Sequence, residues 1–331
     1  MDGKTYIILG GNGPFGVHTA LYLLAHADPK QVICVGRNPQ KSAAFSLRVG
    51  EGDPRYAYHQ IHLVYEQDRL LELCDAEKPE VIVNFAALAH ASSWRRSWRF
   101  YETNLMALVR ITEALVGRPY LKRWIQIGSS ELYGSVDTPA KEDALLLPSS
   151  PYAVSKAAGD MHLLSMIKVL KFPMNILRPS NAYGPGQQLY RVIPRAVLCG
   201  LTGQRLPLHG GGKARKSYIH ARDLARAIHL VSERAPLGKV YNVGPAEPIA
   251  IRELVELVAE ALDMPFDQLC EVSEDRVGED AQYWIDSRAI KDDVGWEPTI
   301  SHQEGTREMV EWGKTYLDDL RAAPTEYVLH A

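Results

Sequence analysis

The sequence predicts an α/β protein whose core is a doubly wound parallel sheet with helices on both faces. Short apolar runs alternate with stretches of helical periodicity along most of the chain, as in parallel sheets whose strands are joined by helices. The first apolar run leads through a glycine-rich turn into the first helix. With 331 residues and a hydrophobic content of 46%, the chain can bury a substantial core and add a smaller lobe to it.

The first predicted strand is Thr5–Leu9, and a turn with a glycine at every third position follows it. Glycine there permits a tight turn, close approach of backbone N–H groups to a pyrophosphate, and close packing of helix on strand. The pattern alone would also fit an ordinary tight turn. Its place directly after the first strand favours dinucleotide binding at the positive end of the helix, as in Rossmann-type folds. The turn residues predicted to contact the dinucleotide are Gly10, Gly13, Pro14, Phe15 and Gly16.

The second predicted strand ends in Gly36-Arg37-Asn38, and this ending bears on which dinucleotide binds. An acidic residue there would bind the ribose 2′-hydroxyl group, whereas an arginine suits a 2′-phosphate. No aspartate or glutamate is present at this point. The sequence therefore favours NADP over NAD, although Arg37 could equally be a solvated loop residue.

Polar and small residues follow the ends of the later strands. Ligands of doubly wound sheets bind beyond the carboxyl ends of the strands, so we expect these segments to meet in one crevice. Ala86 and Ala87 are predicted to border the cofactor. The strands are predicted over residues 81–85, 124–127, 174–177 and 240–243, and the segments that follow them include 86–87, 128–131 and 179–181.

The chain changes character after about Pro179, where proline, glycine and short irregular pieces become more frequent. We expect residues 1–178 to form the dinucleotide-binding domain, with residues 217–242 returning to it. Residues 179–216 and 243–331 are predicted to form a smaller α/β lobe that binds the substrate.

Composition excludes several other classes of protein. A net charge of −3 does not indicate a nucleic acid or an anionic membrane as partner. The four cysteines are far apart and form no Cys-x-x-Cys pair, so we expect buried free thiols rather than disulfides or metal ligands. The sequence shows no signal peptide and no apolar run long enough to span a membrane. We expect a cytoplasmic protein that holds no metal.

Two segments together supply the groups of a proton-handling site. Ser129-Ser130-Glu131 carries hydroxyl groups and a carboxylate, and Tyr152 is followed four residues later by Lys156. That spacing places the phenol and the ammonium on one face of a helix, where the ammonium can lower the phenol pKa. Such a phenolate could deprotonate an alcohol while a hydride leaves the same carbon.

These ordered motifs identify the chain as similar to the extended short-chain dehydrogenase/reductases that act on nucleotide sugars. The resemblance is closest to the nucleotide-sugar 4,6-dehydratases of the dTDP-glucose and GDP-mannose types, and it runs nearly end to end. The motifs that carry it are the glycine turn and residues 84–87, 129–134, 150–156, 178–187, 191–194, 276–280 and 295–296.

The resemblance implies a catalytic role for each residue of the proton-handling site. Tyr152, assisted by Ser129, would remove the proton of the sugar 4-hydroxyl group while the C4 hydride passes to the nicotinamide. Lys156 would tune Tyr152 and hold the nicotinamide ribose. Glu131 stands at the position of the dehydratases' base and would take the C5 proton as water leaves C6, after which the hydride returns to C6. A glutamate at this place could also merely cap the following turn.

The chain departs from the family pattern at three places. The acidic residue that often follows the third strand and binds adenine is absent, since residues 60–63 read Gln-Ile-His-Leu. Many dehydratases have an aspartate where Ser130 stands, and that aspartate acts as the acid toward the leaving hydroxyl group. Serine cannot donate like a carboxylic acid, so water or protonated Glu131 would have to serve. Lys216 stands where the family usually has an arginine on the nucleotide diphosphate, and its neighbour Arg215 could take over that contact.

The same resemblance implies further substrate contacts at His90, Asn181, Arg191 and Arg276. It implies a homodimer through the helices that follow Ala91 and carry Tyr152. Three reactions on the same fold remain as alternatives: C4 epimerisation, 4-keto reduction and uronate decarboxylation. A non-catalytic nucleotide-binding regulator is the alternative from a different class, and the intact Tyr152 and Lys156 pair argues against it.

Overall fold

The computed structural model describes residues 3–89, 94, 96–273 and 282–327. The strands, in chain order, are β1 (Thr5–Leu9), β2 (Gln31–Gly36), β3 (Tyr56–Gln60), β4 (Val81–Asn84), β5 (Arg123–Ile127), β6 (Met174–Pro179), β7 (Asn181–Tyr183), β8 (Leu206–His209), β9 (Arg215–Lys216), β10 (Tyr218–His220), β11 (Val240–Val243), β12 (Ile249–Ala250), β13 (Cys270–Ser273) and β14 (Gln282–Tyr283).

The α-helices, in chain order, are α1 (Pro14–His26), α2 (Ala43–Ser46), α3 (Gln67–Glu77), α4 (Trp98–Tyr101), α5 (Ala107–Leu115), α6 (Pro151–Leu170), α7 (Val192–Thr202), α8 (Ala221–Arg234), α9 (Ile251–Ala261), α10 (Phe266–Leu269), α11 (Arg288–Val294), α12 (His302–Thr315) and α13 (Leu317–Ala322). A π-helical turn, Glu102–Met106, joins α4 to α5, and 3₁₀ turns cover Ser130–Tyr133 and Gly210–Gly212. Among the described residues, no helix is both long and apolar enough to cross a membrane.

The predicted parallel sheet is confirmed. Seven strands lie in the order β11-β6-β5-β4-β1-β2-β3, and every neighbouring pair is parallel. Ile7 at the centre of β1 pairs with Ile33 of β2 on one side and Ile82 of β4 on the other. The chain therefore reverses its direction of winding between β1 and β4, and a crevice opens at the carboxyl ends of the strands there.

Both faces of the sheet are buried at its inner strands, which explains why β1, β2 and β4 are almost continuously apolar, whereas the edge strand β3 is only partly buried. Alternate residues of β1 point to opposite faces: Ile8 packs toward α1 and α8, while Ile7 packs toward α3, α5 and α6. The fully buried Trp124 of β5 lies in the second of these layers.

The turn after β1 has room only for glycine at two positions. A Cβ atom on Gly10, whose φ is 79°, would lie 2.9 Å from the backbone nitrogen of Ala86. A Cβ atom on Gly16 would lie 2.7 Å from the carbonyl oxygen of Gly10. The glycines thus bring the turn, α1 and the segment after β4 into direct backbone contact.

The π-helical turn between α4 and α5 carries Asn104, whose buried side-chain amide forms hydrogen bonds with the loop after β4 and with α6. The Asn104 side chain accepts from the backbone N–H of Leu88 at 2.8 Å and donates to the Leu88 carbonyl at 3.0 Å. It also donates to the Ser155 hydroxyl oxygen on α6 at 2.9 Å. The loop after β4 is therefore fixed relative to the helix that carries Tyr152.

A buried ion pair connects α6 to the sheet. Arg178 of β6 donates from Nε to Asp160 of α6 at 2.9 Å, and both side chains are almost fully buried. Arg178 also donates to the Tyr133 hydroxyl oxygen at 2.7 Å, and Tyr133 in turn donates to Asn242 of β11 at 2.8 Å. This network fixes α6, the 3₁₀ turn at Ser130–Tyr133 and two strands relative to one another.

The second half of the chain forms a smaller lobe on the helices α7, α9 and α12, which share one apolar core. The indole Nε1 of Trp312 on α12 donates to the carbonyl of Ala44 in α2 at 2.7 Å, and its ring meets Phe45 edge-on. The last long helix of the lobe therefore touches the segment that follows β2.

We predict that Asp160→Asn lowers the free energy of unfolding by about 3–5 kcal/mol, because it leaves the Arg178 guanidinium buried without its counter-charge. The midpoint of urea-induced unfolding measures this change. Asp319→Asn, at an exposed position of α13, should leave the midpoint unchanged. An unchanged midpoint in Asp160→Asn would show that the ion pair does not stabilise the fold.

Candidate active site

One cleft of about 1230 Å³ lies at the carboxyl ends of the sheet strands and extends between the sheet and the lobe. It brings together most of the residues that the sequence singled out. Those that line it are Gly10, Gly13, Pro14, Phe15, Gly16, Arg37, Ala86, Ala87, Ser129, Glu131, Tyr152, Lys156, Asn181, Arg191 and Lys216. Ser130 and Arg215 do not line it, and His90 and Arg276 lie outside the described residues.

The glycine turn presents the amino end of α1 to the cleft. Gly13 precedes the first helical residue, and Pro14 occupies the early position where no N–H is needed. Because the first N–H groups of a helix have no partner within it, this end can bind a phosphate group. The close approach required at Gly10 and Gly16 leaves the turn as a cradle that a side chain would obstruct.

The end of β2 carries two neighbouring cations rather than one. Arg37 and Lys41 both line the cleft, and burial lowers the pKa of Lys41, with a further decrease from the charge of Arg37. The Asn12 side chain holds the connecting loop, since it donates to the Pro39 carbonyl at 2.8 Å and accepts from the Lys41 N–H at 3.2 Å. Lys41 was not among the predicted site residues, although its spacing of four residues from Arg37 was visible in the sequence.

Tyr152 is placed by the start of α6. Ser150 caps this helix by accepting from the Ala153 N–H at 3.2 Å, and Pro151 is the first helical residue. The phenol forms a hydrogen bond with Ser129, and its ring meets Phe100 edge-on at 6.5 Å. Tyr152 therefore stands at the floor of the cleft beside the segment that follows β5.

Ser129 and Glu131 are positioned by the 3₁₀ turn. The Ser129 hydroxyl oxygen accepts from the Glu131 N–H at 3.2 Å, so the serine caps the turn that carries the carboxylate. Glu131 lines the cleft close enough to Tyr152 for its charge to raise the phenol pKa. Ser130 is buried and does not line the cleft, so it is not placed to supply a proton there.

The electrostatics of Tyr152 differ from the expectation drawn from its spacing to Lys156. Burial raises the pKa of Tyr152, the charge of Glu131 raises it further, and the hydrogen bond from Ser129 opposes both. The Lys156 ammonium donates to the Ile127 carbonyl, and burial together with Glu131 outweighs any lowering of the phenol pKa by its charge. The phenol is therefore protonated at neutral pH and needs an added positive charge nearby before it can act as a base.

Lys156 is almost fully buried, and this burial lowers its pKa to about 8. Asp160, one helical turn further along α6, raises that pKa again. The ammonium form at neutral pH thus depends on a carboxylate that is itself held by Arg178.

The two basic residues of β9 point in opposite directions, as neighbouring residues of a strand do. Lys216 lines the cleft, with its Nζ 5.4 Å from the centre of the Tyr283 ring. Arg215 lies on the other face, where it donates to the Pro248 carbonyl at 2.7 Å and pairs with Glu253 at 3.6 Å. In this arrangement Arg215 does not take over the diphosphate contact of the family's arginine, which its position beside Lys216 had suggested.

Arg191 and Asn181 reach the cleft from the lobe side. Arg191 donates to the Ala89 carbonyl at 2.8 Å and lies over the Tyr190 ring at 5.4 Å. Arg99 also lines the cleft and was missed in the sequence, because nothing in its local pattern distinguishes it from a solvated helical arginine. Only the tertiary structure turns it inward.

Residues 7–309 match the family model described as GDP-mannose 4,6 dehydratase. The chain belongs to this family. The predicted resemblance is thereby confirmed.

Several curated relatives of this chain carry dehydratase names. A dTDP-glucose 4,6-dehydratase of Streptomyces griseus is 31% identical over 321 residues, which cover 94% of this chain and 90% of that protein. A trifunctional UDP-glucose 4,6-dehydratase, epimerase and reductase of Arabidopsis thaliana is 25% identical over 93% of this chain. The chain spans about half, 47%, of that plant protein's length.

Solved structures agree with the fold. A dTDP-glucose 4,6-dehydratase from Bacillus anthracis in complex with NAD has a TM-score of 0.86 at 28% identity, covering 96% of this chain and 99% of that chain. The corresponding enzyme of Streptomyces venezuelae with NAD bound has a TM-score of 0.87 at 28% identity, with the same coverage. A UDP-glucose 4-epimerase of Thermotoga maritima reaches 0.85 at 23% identity over 95% of this chain and 99% of that one, and this likeness shows the fold alone.

We predict that turnover falls as the pH rises through about 8, because Lys156 loses its proton there. Below this pKa the ammonium is present, and above it the neutral amine cannot favour a phenolate at Tyr152. The pH profile of kcat/KM measures this effect. Lys156→Arg should remove the alkaline decrease at a lower absolute rate, whereas Lys171→Arg, at an exposed position, should keep the wild-type profile. A wild-type rate that stays level to pH 10 would contradict this assignment.

Proposed function

We propose that the protein is an NAD(P)-dependent nucleotide-sugar 4,6-dehydratase, which converts a nucleotide-linked hexose into its 4-keto-6-deoxy derivative. The observation that carries this proposal is the carboxylate of Glu131, which lines the same cleft as the Ser129 and Tyr152 pair. A C4-epimerase needs no base at C5, so a carboxylate at this place favours dehydration.

The residues present fit a dinucleotide. The glycine cradle, the amino end of α1 and the Ala86-Ala87 segment border one side of the cleft, and Tyr152 with Lys156 forms its floor. When bound, the nicotinamide would accept the hydride of sugar C4 and later return it to C6, so that the overall reaction loses one water and consumes no cofactor. A positively charged ring near Tyr152 would also oppose the effect of Glu131 on the phenol pKa.

Each proton of the reaction then has a place in the cleft. Tyr152, hydrogen-bonded to Ser129, accepts the proton of the 4-hydroxyl group as C4 is oxidised. The resulting 4-keto group acidifies the C5–H bond, and Glu131 accepts that proton. Because Ser130 does not line the cleft, the protonated Glu131 is the group that can return a proton to the departing C6 hydroxyl group. Return of the hydride to C6 then requires one proton at C5, and release of the Tyr152 proton to solvent balances its uptake there.

For the substrate's diphosphate, we propose Lys216 and Arg191 as the cationic contacts and Asn181 as a polar neighbour, because all three line the lobe side of the cleft. This proposal adopts the predicted division into a dinucleotide-binding domain and a substrate lobe. The single ammonium of Lys216 gives a point charge where a guanidinium would bind two oxygens.

For the cofactor, we propose a preference for NADP. Arg37 and Lys41 form a cationic pair at the end of β2, and among the described residues neither has a carboxylate partner. The Asn12 side chain fixes the loop between them. Two cations at the point where an NAD-binding chain would carry an acidic residue suit a 2′-phosphate.

For the quaternary structure, we propose a homodimer through α6 and the α4–α5 segment. Large apolar side chains are exposed there: Val154 and Met161 on α6, Trp98 on α4 and Met106 on the π-helical turn. Paired copies would bury this surface. Sedimentation as a monomer at micromolar concentration would contradict this proposal.

We also propose a cytoplasmic location, since all four cysteines are buried free thiols and a reducing compartment keeps thiols in that state. Recovery of the protein in a secreted or periplasmic fraction would contradict it.

We predict that Glu131→Gln still oxidises C4 but loses dehydration by at least about 10²-fold, the scale of a lost general acid–base group. Mass spectrometry of the product measures water loss, and exchange of hydrogen at C5 with solvent deuterium measures proton removal directly. Tyr152→Phe is the matched comparison, because it should block C4 oxidation itself while leaving dinucleotide binding intact. Undiminished water loss in Glu131→Gln would exclude this residue as the C5 base.

We predict that Arg37→Ala weakens NADP binding by roughly 10- to 100-fold, the effect of losing one charge-assisted phosphate contact, while NAD binding changes little. Calorimetric titration of the two dinucleotides measures both affinities, and NAD is the internal control for folding. Lys41→Ala should shift the ratio in the same direction. Wild-type protein that binds NAD more tightly than NADP would contradict the preference.

A further inference from the structure

The chain after α12 returns from the lobe to the mouth of the cleft. The family model matches residues 7–309, so this segment lies beyond the matched part. Trp312 anchors α12 to the Ala44 carbonyl, close to the loop that carries Arg37 and Lys41. After α13 the chain continues as residues 323–327, which we call the C-terminal strap. Thr325 of this strap lines the cleft.

An aromatic pair fastens the strap to the cleft wall. The rings of Tyr327 and Tyr190 are 5.3 Å apart at an angle of 89°, the edge-to-face geometry that aromatic rings favour. Arg191 lies over the Tyr190 ring at 5.4 Å. Both Tyr190 and Arg191 line the cleft, so the contact is made at the cleft's edge rather than elsewhere on the surface.

Three arginines lie near enough to Tyr327 for their charges to act on it. Arg37, Arg99 and Arg191 each lower the pKa of Tyr327, whereas its burial and the nearby Tyr190 raise it. All three line the cleft, and none of them forms an ion pair within the described part of the chain. The Nη1 of Arg99 is buried without a hydrogen-bond partner there.

Because no carboxylate of the described part of the chain pairs with these arginines, they can bind an anionic ligand. Arg37 follows β2 beside the glycine turn, so the anion proposed at Arg37 and Arg99 is the phosphate-bearing part of a dinucleotide, whereas Arg191 on the lobe side remains the proposed contact of the substrate's diphosphate. A cofactor that stores a hydride between two steps of one reaction must also remain bound between them. A strap across the mouth of its site would slow its departure.

We propose that Tyr327 is a further binding residue of the dinucleotide site and that the C-terminal strap, held by the Tyr190 and Tyr327 pair, retains the cofactor. This inference rests on the proposed function, because it needs a dinucleotide in the cleft. The strap borders the cleft through Thr325, with Arg37 and Arg99 near Tyr327, and on this proposal the dinucleotide leaves when the ring contact opens.

The test is the rate at which full-length protein releases its reduced dinucleotide, followed by the loss of cofactor fluorescence during a chase with excess oxidised dinucleotide. Tyr327→Ala should release the cofactor roughly tenfold faster, the scale of one lost aromatic contact together with its burial. Tyr190→Ala should do the same, and the double variant should be no faster than either single one, because both remove the same contact.

Two controls separate the ring contact from other effects. Tyr327→Phe keeps the ring and should stay within about twofold of the wild-type rate. Glu326→Ala removes an exposed side chain from the same strap and should leave the rate unchanged. An unchanged rate in Tyr327→Ala, or additive effects in the double variant, would overturn the strap while leaving the proposed function intact. Failure of every variant and of the wild-type protein to bind a dinucleotide would instead overturn the proposed function itself.

Discussion

The buried ion pair of Asp160 and Arg178 is the interaction on which the geometry of the site depends. It lies directly behind Lys156, where α6 crosses the ends of β5 and β6, and it links the helix that carries Tyr152 to the turn that carries Glu131 through the hydroxyl group of Tyr133. A Cβ atom on Gly128 would lie 3.3 Å from both carboxylate oxygens of Asp160, so the backbone after β5 packs against the same pair. The carboxylate of Asp160 therefore offsets the free-energy cost of burying Lys156 as an ammonium, and the fold fixes the position of that carboxylate.

The strand order and several long-range contacts bring the two halves of the chain to one cleft. The reversal of strand order between β1 and β4 opens a crevice in the sheet, the glycine turn lines one side of it, and β9 and the start of α7 line the other. Asn104 holds the loop after β4 against α6, and Trp312 brings the end of the lobe back to the segment after β2. The walls of the cleft are thus held in place by contacts between segments that are far apart in sequence.

Local patterns were sufficient to predict the sheet, the glycine turn and the positions of Tyr152, Lys156 and Glu131, because each depends on spacing along one strand, turn or helix. They could not predict which way a side chain faces in an irregular region. Ser130 is buried by the 3₁₀ turn, and Arg215 faces away from the cleft because the short strand β9 sends only Lys216 inward. Nor could spacing show that Lys156 donates to the Ile127 carbonyl, so that burial and Glu131 control the pKa of Tyr152. Arg99 and Lys41 reach the cleft, and Tyr327 reaches Tyr190 at its edge, only through tertiary packing.

The central claim is that this cleft removes one water from a nucleotide sugar without a net change in its cofactor. Mass spectrometry of purified protein incubated with dTDP-, GDP-, CDP- and UDP-linked hexoses, with no external reductant, tests it most directly. The account predicts the loss of one water from one member of this panel, with no net consumption of cofactor. Formation of an isomer of unchanged mass would contradict dehydration and indicate an epimerase, and a panel left unchanged by a protein that binds its dinucleotide would indicate a reductase or a decarboxylase.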